Sequence, residues 1–475
     1  MLPAAELVLD LDNIQGDTVV GLQKVVEYFI FYKILTVTSF RRLVKSHLVR
    51  RLTSARLAHD RDLVAARRQS PGVRASEMWI GVNLGFTNNG LTQLLGPRRP
   101  QFDPSFERGA SHPDTIAMLN DPAPSAWVNG FLSDRIDGVL LITGPDKAAI
   151  QSQYRQILAE LGNSIKPIYA EIAARRPGAH RRKEHFGFTD GISLPGVRGL
   201  TPKGTPGREL VWPGEFVLGY PRQDWLDSEK PGPIAAMPAD WARDGSYLVF
   251  RRLEQGVPEF RRFVGVQAAR QGTNPELIAS RMVGRWRSGT PLELAPRWDD
   301  PGLGADDARN NKFSYASDPF GEVCPFAAHI RRVNPRDGAE TGHSGSAAPR
   351  IFRAGISFGP EVGPAETTTT QSRGLMFVCY QSSIGQQFEV MQRQANSETI
   401  SARNRLSGAA AIPAGHDALI GQSVGVAMPQ QAGLAAEYVL RNRWKTLEKQ
   451  NQFVFLTAAG YFFMPSLSAL RTALT

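Results

Sequence analysis

Gly138-Val139-Leu140-Leu141-Ile142-Thr143-Gly144-Pro145-Asp146, followed by Ile150, Tyr154, Ile157, Leu158 and Leu161 up to Gly162, is the stretch that decides the fold. The first six residues form a short apolar run, the pattern of a buried strand. Gly144-Pro145-Asp146 starts a helix, the apolar residues after it share one helical face, and Gly162 stops it.

Working outward, the same alternation recurs. Upstream lie a strand-like aromatic segment around Tyr28-Phe29-Ile30-Phe31-Tyr32 and a basic helical stretch from about Thr38 to Arg68. In that stretch Leu43, Leu48, Leu52 and Leu57 are roughly one turn apart. Trp79 to Leu84 reads as a short strand and Asn89 to Leu95 as a helix start. Downstream, Tyr247-Leu248-Val249-Phe250 reads as a strand, and Pro275 to Trp286 as a helix with Leu277, Ile278, Met282 and Val283 inward. Arg373 to Tyr380 is a strand, Gln386 to Asn396 a short helix, and Phe453 to Pro465 an aromatic core segment. Strands and helices in this order predict an α+β fold, an antiparallel sheet with helices packed on it. Residues 337–349 are small and polar and predict a surface loop. At 475 residues the chain is long for one core. Gly196 to Gly214, rich in Gly and Pro, suggests a boundary between domains 1–205 and 206–475.

The net charge of +10 is spread through the chain in short groups such as Arg181-Arg182-Lys183. Without a long basic run interleaved with aromatics, nucleic acid is not the expected partner. Anionic small molecules suit that charge equally. The two cysteines, Cys324 and Cys379, make no CxxC, so neither a cysteine zinc site nor a covalently attached haem is supported. Two free thiols are expected. The longest apolar region, Val25 to Phe40, contains Glu27 and Lys33 and is too short to span a bilayer. No secretory signal is legible, so a soluble protein is expected, cytoplasmic or, if a leader has been removed, extracellular.

Four features can carry chemistry. In Glu184-His185-Phe186-Gly187-Phe188-Thr189-Asp190-Gly191-Ile192-Ser193 an acid stands on a glycine turn, where it can face a ligand pressed against the backbone. A plain Asx turn between strands reads equally well. His329 follows the small residues Ala327 and Ala328 and precedes Pro335, a setting for a metal or haem ligand or for an ordinary core histidine. Arg353 sits in the apolar segment Ile351-Phe352-Arg353-Ala354, where it either meets an anion or points to water. Leu375, Phe377 and Cys379 share one face of a strand and can roof an apolar pocket or fill a core.

These segments together resemble the dye-decolorising peroxidases, particularly the longer fungal-type members. The resemblance runs through Ile14-Gln15-Gly16-Asp17, Gly187-Phe188-Thr189-Asp190-Gly191, Gly245-Ser246-Tyr247-Leu248-Val249-Phe250-Arg251 and Met282-Val283-Gly284-Arg285-Trp286. It continues through Cys324-Pro325 to Arg336, Arg353-Ala354-Gly355-Ile356, Gly374 to Val378 and Tyr461 to Ser466. It implies two ferredoxin-like α+β domains and one non-covalent haem b per chain, held mainly by the C-terminal domain. His329 would be the proximal iron ligand, Asp190 the distal acid–base group and Arg353 its partner. Gly187, Phe188, Thr189, Gly191, Ile192, Leu375, Phe377 and Phe388 would contact the haem. Glu389 would be the carboxylate behind the proximal imidazole, and His185 the next ligand to test should His329 fail. The implied substrates are hydrogen peroxide and aromatic electron donors such as dyes and phenols, with no nucleic acid or membrane partner. A porphyrin-handling protein with incidental peroxidase activity is the competing expectation.

Overall fold

The chain was analysed as a computed structural model, which describes residues 8–22, 24–68, 79–128, 131, 135–224, 227, 229–336, 349–397, 399–401, 411–413, 415–422 and 452–475. Nearly all of the segment expected to form a surface loop, residues 337–348, lies outside the described residues.

Nine strands form the main sheet: β1 (Val26–Ile34), β2 (Gly81–Phe86), β3 (Gly138–Gly144), β4 (Ile165–Ala174), β5 (Ser246–Gln255), β6 (Phe352–Arg353), β7 (Ile356–Phe358), β8 (Gly374–Gln381) and β9 (Val454–Met464). The helices that matter for the site are α1 (Val37–Ser46), α2 (Ala55–Arg68), α3 (Lys147–Leu161), α4 (Val257–Gln271), α5 (Pro275–Val283), α6 (His329–Val333) and α7 (Phe388–Asn396). The strands run antiparallel in the order β6-β8-β5-β9-β2-β3-β1-β4, with β7 also paired to β8. The first four strands follow the order 4-1-3-2, the ferredoxin-like arrangement. The last five repeat it, with β6 and β7 sharing the place of the second strand. β9 joins the two sets edge to edge at Phe463 and Phe86.

The sheet curves round on itself. β1 and β5 are not neighbours in it, yet the rings of Phe31 and Phe250 lie 4.9 Å apart. Glu171 of the end strand β4 accepts from Arg252 Nε of β5 at 2.7 Å. Phe29, Phe131 and Phe462 complete this interior, all buried. Each such ring contributes about 1.5–3 kcal/mol by leaving water.

Local signals set the helix ends. Asp146 accepts the Ala149 N–H at 2.8 Å as the N-cap of α3, and Gly162 ends it at a positive φ. The basic stretch from Thr38 to Arg68 is broken after Ser46 by a 3-10 turn, Leu48–Arg51, and by extended residues after it, where Ser54 forms an isolated bridge with Gln15. Thr53 N–H donates to the Val82 carbonyl at 2.9 Å, and the Thr53 carbonyl accepts from Gly16 at 2.8 Å. That strand-like connection ends one helix and starts the next, leaving Leu57 facing solvent.

Candidate active site

One cavity of about 270 Å³ lies between the turn at Phe186–Pro195, α6 and α7, and the ends of β5, β6 and β8. That volume is near the lower end of small-molecule sites, about 300–1,000 Å³. Asp190, His329 and Arg353 all line it, so three residues far apart in sequence converge on one space.

Glu184 builds the Asp190 turn. Its carboxylate accepts the Phe186 and Phe188 N–H groups, each at 2.8 Å, and Gln255 Nε2 at 2.5 Å. Gly187 and Gly191 take φ of +100° and +81°, which side chains resist. Asp190 Oδ1 accepts from Arg353 Nη1 at 2.7 Å and from the Gly191 N–H at 2.6 Å. Among the described residues no partner is given to Oδ2. The side-chain surface left on the pair, 42% for Asp190 and 32% for Arg353, opens into the cavity that both line. Burial pushes the Asp190 carboxyl up, but the Arg353 charge and the two hydrogen bonds outweigh it and hold the group below its ordinary value. Asp190 in turn raises Arg353, against burial.

His329 is the first residue of α6, and the Ala328 N–H just before it donates to the Pro325 carbonyl at 2.9 Å. Its Nδ1 lies 2.9 Å from Asp417 Oδ2. A carboxylate only accepts, so Nδ1 carries the proton and Nε2 is left with a lone pair for the cavity. Burial lowers the His329 pKa, while the Asp417 charge and hydrogen bond raise it by more.

Glu389, the carboxylate expected behind His329, does not stand there. Glu389 is occupied elsewhere: Arg108 Nη2 donates to both its oxygens at 3.0 Å, Ser105 Oγ at 2.7 Å and Tyr461 OH at 3.2 Å. Asp417 takes the place instead. Gly187 also departs from expectation, because it is not among the cavity-lining residues. A Cβ there would stand 2.5 Å from Arg287 Nη1, so the glycine makes room for that guanidinium on the far side of the turn. Phe188, Thr189, Gly191, Ile192, Leu375, Phe377 and Phe388 all line the cavity. His185 does not; it is buried with Nε2 2.8 Å from the Phe358 carbonyl, and its pKa is pushed down to about 4, chiefly by burial. Cys324 and Cys379 are both free and buried.

A basic rim went unread in the sequence. Arg285, Arg336 and Arg350 line the cavity with Asn311. Arg285 is 4% exposed and, among the described residues, donates to neutral oxygens: the Gly289 carbonyl (2.7 Å), the Asn310 carbonyl (2.6 Å), Ser193 Oγ and Asn311 Oδ1 (both 3.2 Å). Burial, with Arg336 and Arg353 near, lowers its pKa to about 10. A buried guanidinium that meets neutral acceptors beside a cavity is prepared for an anion.

Comparison with known proteins settles the family. The dimeric α+β barrel domain of the dye-decolorising peroxidases matches residues 13–177, and the C-terminal domain of the same peroxidases matches residues 227–411. Dye-decolorizing peroxidase msp1 of Mycetinis scorodonius is 35% identical over 98% of this chain and 88% of its own length. The chain belongs to the dye-decolorising peroxidase family. Among solved structures, a variant of the dye-decolorizing peroxidase of Pleurotus ostreatus superposes with a TM-score of 0.84 at 32% identity, covering 99% of this chain and 100% of that one. A dye-decolorizing peroxidase in complex with 2,6-dimethoxyphenol gives 0.81 at 34% identity, covering 98% and 100%. Dye-decolorising peroxidases are haem enzymes that use peroxide, and this chain is one of them.

The residues present suit a haem. His329 offers one nitrogen, apolar walls include Leu375, Phe377 and Phe388, and the basic rim fits the ring's two carboxylates. Among the described residues no three His, Cys, Asp or Glu side chains gather to hold a metal. No described helix is long and apolar enough to cross a membrane.

Proposed function

We propose that the cavity binds one non-covalent haem b, with His329 Nε2 as the iron ligand and Arg285, Arg336 and Arg350 facing its carboxylates. In this reading the C-terminal half would hold most of the group, and Asp190 and Arg353 would serve the peroxide. The bound haem supplies the iron that takes up the oxidising equivalents of peroxide and passes them on in two one-electron oxidations of aromatic donors.

The observation that carries the reading is the Asp190–Arg353 pair facing the same cavity as His329. Hydrogen peroxide must lose a proton from one oxygen and gain one on the other as the O–O bond breaks. Asp190 Oδ2 can accept that proton and return it to the leaving oxygen, help typically worth about 10²–10⁴ in rate. Arg353 stays charged and stabilises the negative charge that develops there. Asp417 accepts from His329 Nδ1, which fixes the ring's orientation and makes Nε2 a stronger donor. Leu375 and Phe377 narrow the approach, so bulky donors are oxidised from outside the cavity.

The deciding experiment is an absorption spectrum after expression with ample haem. Wild type shows a Soret band that changes on adding one equivalent of peroxide, and His329→Ala loses the band. A normal five-coordinate spectrum in His329→Ala would overturn the ligand. Turnover of peroxide by wild type that is lost in Asp190→Asn with haem retained separates this reading from porphyrin handling.

A further inference from the structure

The Ile14-Gln15-Gly16-Asp17 motif does not line the cavity, and the chemistry above makes no use of it. Gln15 stitches the two halves together: its Nε2 donates to the Leu84 and Pro465 carbonyls, each at 2.8 Å, and its Oε1 accepts the Leu84 N–H at 2.8 Å. Asp17 reaches further. Its Oδ2 accepts from Tyr380 OH at 2.6 Å, and its Oδ1 accepts the Leu22 N–H at 2.8 Å. Asn83 Oδ1 accepts the Asp17 N–H at 2.9 Å. Close by, Lys24 Nζ donates to Glu27 Oε2 at 2.9 Å and to the Ala354 carbonyl at 2.5 Å, and lies 3.7 Å from Asp17 Oδ1. Asp17, Glu27 and Tyr380 are fully buried, and Lys24 is 6% exposed.

Both ends of this network close on Arg353. Strand β6 is two residues long, with Phe352 opposite Tyr380 and Arg353 opposite Cys379 on β8, and after Ala354 and Gly355 the edge continues as β7, with Ile356 opposite Met376 on the same strand. On that inner side the Ala354 N–H donates to the Val378 carbonyl at 2.9 Å. On the outer side the Ala354 carbonyl is buried and takes the Lys24 ammonium. Two residues before Ala354, on the other side of Arg353, Phe352 is opposite the tyrosine that Asp17 holds. Ala354 and Gly355 interrupt the pairing of β6 and β7 with β8, so the Lys24 hydrogen bond steadies the backbone at that interruption, next to Arg353. Any shift passes directly to the guanidinium that meets Asp190. Burying one ammonium with two carboxylates is costly, and apolar side chains would cement the edge as well. Directed donors are what apolar packing cannot supply.

We infer that Lys24, with Asp17 and Tyr380 behind it, is a positioning residue for Arg353, holding its backbone so that the guanidinium meets Asp190. This rests on the role given to Arg353 above. The buried network lies behind the strand and does not touch peroxide.

The test is the second-order rate constant for the haem-loaded resting enzyme with hydrogen peroxide, measured by stopped flow in Lys24→Met, Tyr380→Phe, Arg353→Leu and the Lys24→Met/Arg353→Leu pair. A displacement of about 1 Å at such a site costs up to about 10²-fold, so Lys24→Met is expected to lose about tenfold or more. The donor KM stays within about twofold, because donor binding does not use Arg353. The double variant is no slower than Arg353→Leu alone. A crystal structure of cofactor-free Lys24→Met shows the 2.7 Å contact of Arg353 Nη1 with Asp190 lost. Wild-type rates in Lys24→Met, or losses that multiply in the double variant, overturn the inference. Should Lys24→Met not fold, Tyr380→Phe, which loses one hydroxyl, decides: a slower peroxide step, masked by Arg353→Leu, supports it, and an unchanged one overturns it. If Arg353→Leu itself reacts as wild type, the role of Arg353 fails instead.

Discussion

Asp417 Oδ2 stands 2.9 Å from His329 Nδ1, while its other oxygen accepts the N–H groups of Leu419 and Ile420 at 2.8 and 3.0 Å. The Asp417 N–H donates to the Ala395 carbonyl at 2.8 Å, and Ala418 to the Ala327 carbonyl at 3.0 Å. The carboxylate is thus fixed from α7 and from the residues just before His329, and it has no freedom to turn away. Asn at this position would keep the shape but lose the charge that makes the imidazole electron-rich.

Asp417→Asn is therefore expected to weaken haem binding by about 10–100-fold while leaving the fold intact. Titration of the apoprotein with haem measures it. Glu389→Gln serves as the contrast. Its carboxylate belongs to Arg108, Ser105 and Tyr461, so thermal stability falls and haem affinity holds. The reverse pattern would restore Glu389 to the place that Asp417 takes.

Asp190→Asn removes the proton acceptor and leaves a side chain of the same size. The rate constant for peroxide is expected to fall about 10²–10⁴-fold with the Soret band retained. A loss under tenfold would mean that another group moves the proton.

Arg353 gives a pH signature. Burial raises the Asp190 pKa and Arg353 lowers it by more, so the group is ionised further into acid than an ordinary aspartate, about pH 3.9. With Asp190 as the proposed proton acceptor, the carboxylate is the active form, so wild-type activity is expected to persist into acid and to fall as pH drops through the depressed pKa. The stability from this ion pair runs the same way: present above the ordinary value and lost as pH falls through the depressed one. In Arg353→Leu burial is unopposed, and the acid limb moves up in pH. The peak rate is expected to fall about 10²–10³-fold. An acid limb that stays put in Arg353→Leu would disconnect the two residues.

Much of the fold was legible where a segment carried its own period and its own stop, as Asp146 and Gly162 do for α3, whereas β4 and α4 were not read from the sequence. Nor was the break in the basic stretch, since leucine spacing is the same whether or not Thr53 pairs with Val82 and Gly16. Within the site, Asp190, His329 and Arg353 each sit in a distinctive local setting, and motif order linked them. Asp417 had no such mark. Its partner lies 88 residues away, and neighbouring His416 and Ala418 give no periodic signal. Glu389, beside the cavity-lining Phe388, was the nearer guess by sequence, but helix α7 turns its carboxylate towards Arg108. Arg285 was visible inside Met282-Val283-Gly284-Arg285-Trp286, yet only burial among neutral acceptors singles it out from many other arginines.

The two glycines of the Asp190 turn read alike in sequence and differ in what they serve, so alanine should separate them. Both hold positive φ, where a side chain costs about 1–3 kcal/mol. At Gly187 the new methyl also meets Arg287 Nη1 at 2.5 Å, and Arg287 is held by the Phe186 carbonyl and by Glu276, 2.5 Å from its Nε. Gly187→Ala thus strains the turn and displaces a side chain behind it, and its main readout is a lower melting temperature. At Gly191 a Cβ would meet nothing within 4 Å, because that side opens into the cavity. Gly191→Ala thus carries only the backbone cost for stability but puts a methyl where the ligand lies. The haem affinity of Gly191→Ala should fall further than that of Gly187→Ala, and the melting temperatures of the apoproteins should rank the opposite way. Parallel haem titration and thermal melts of the two variants measure both orders, and equal haem affinities would show that Gly191 does not face the bound group.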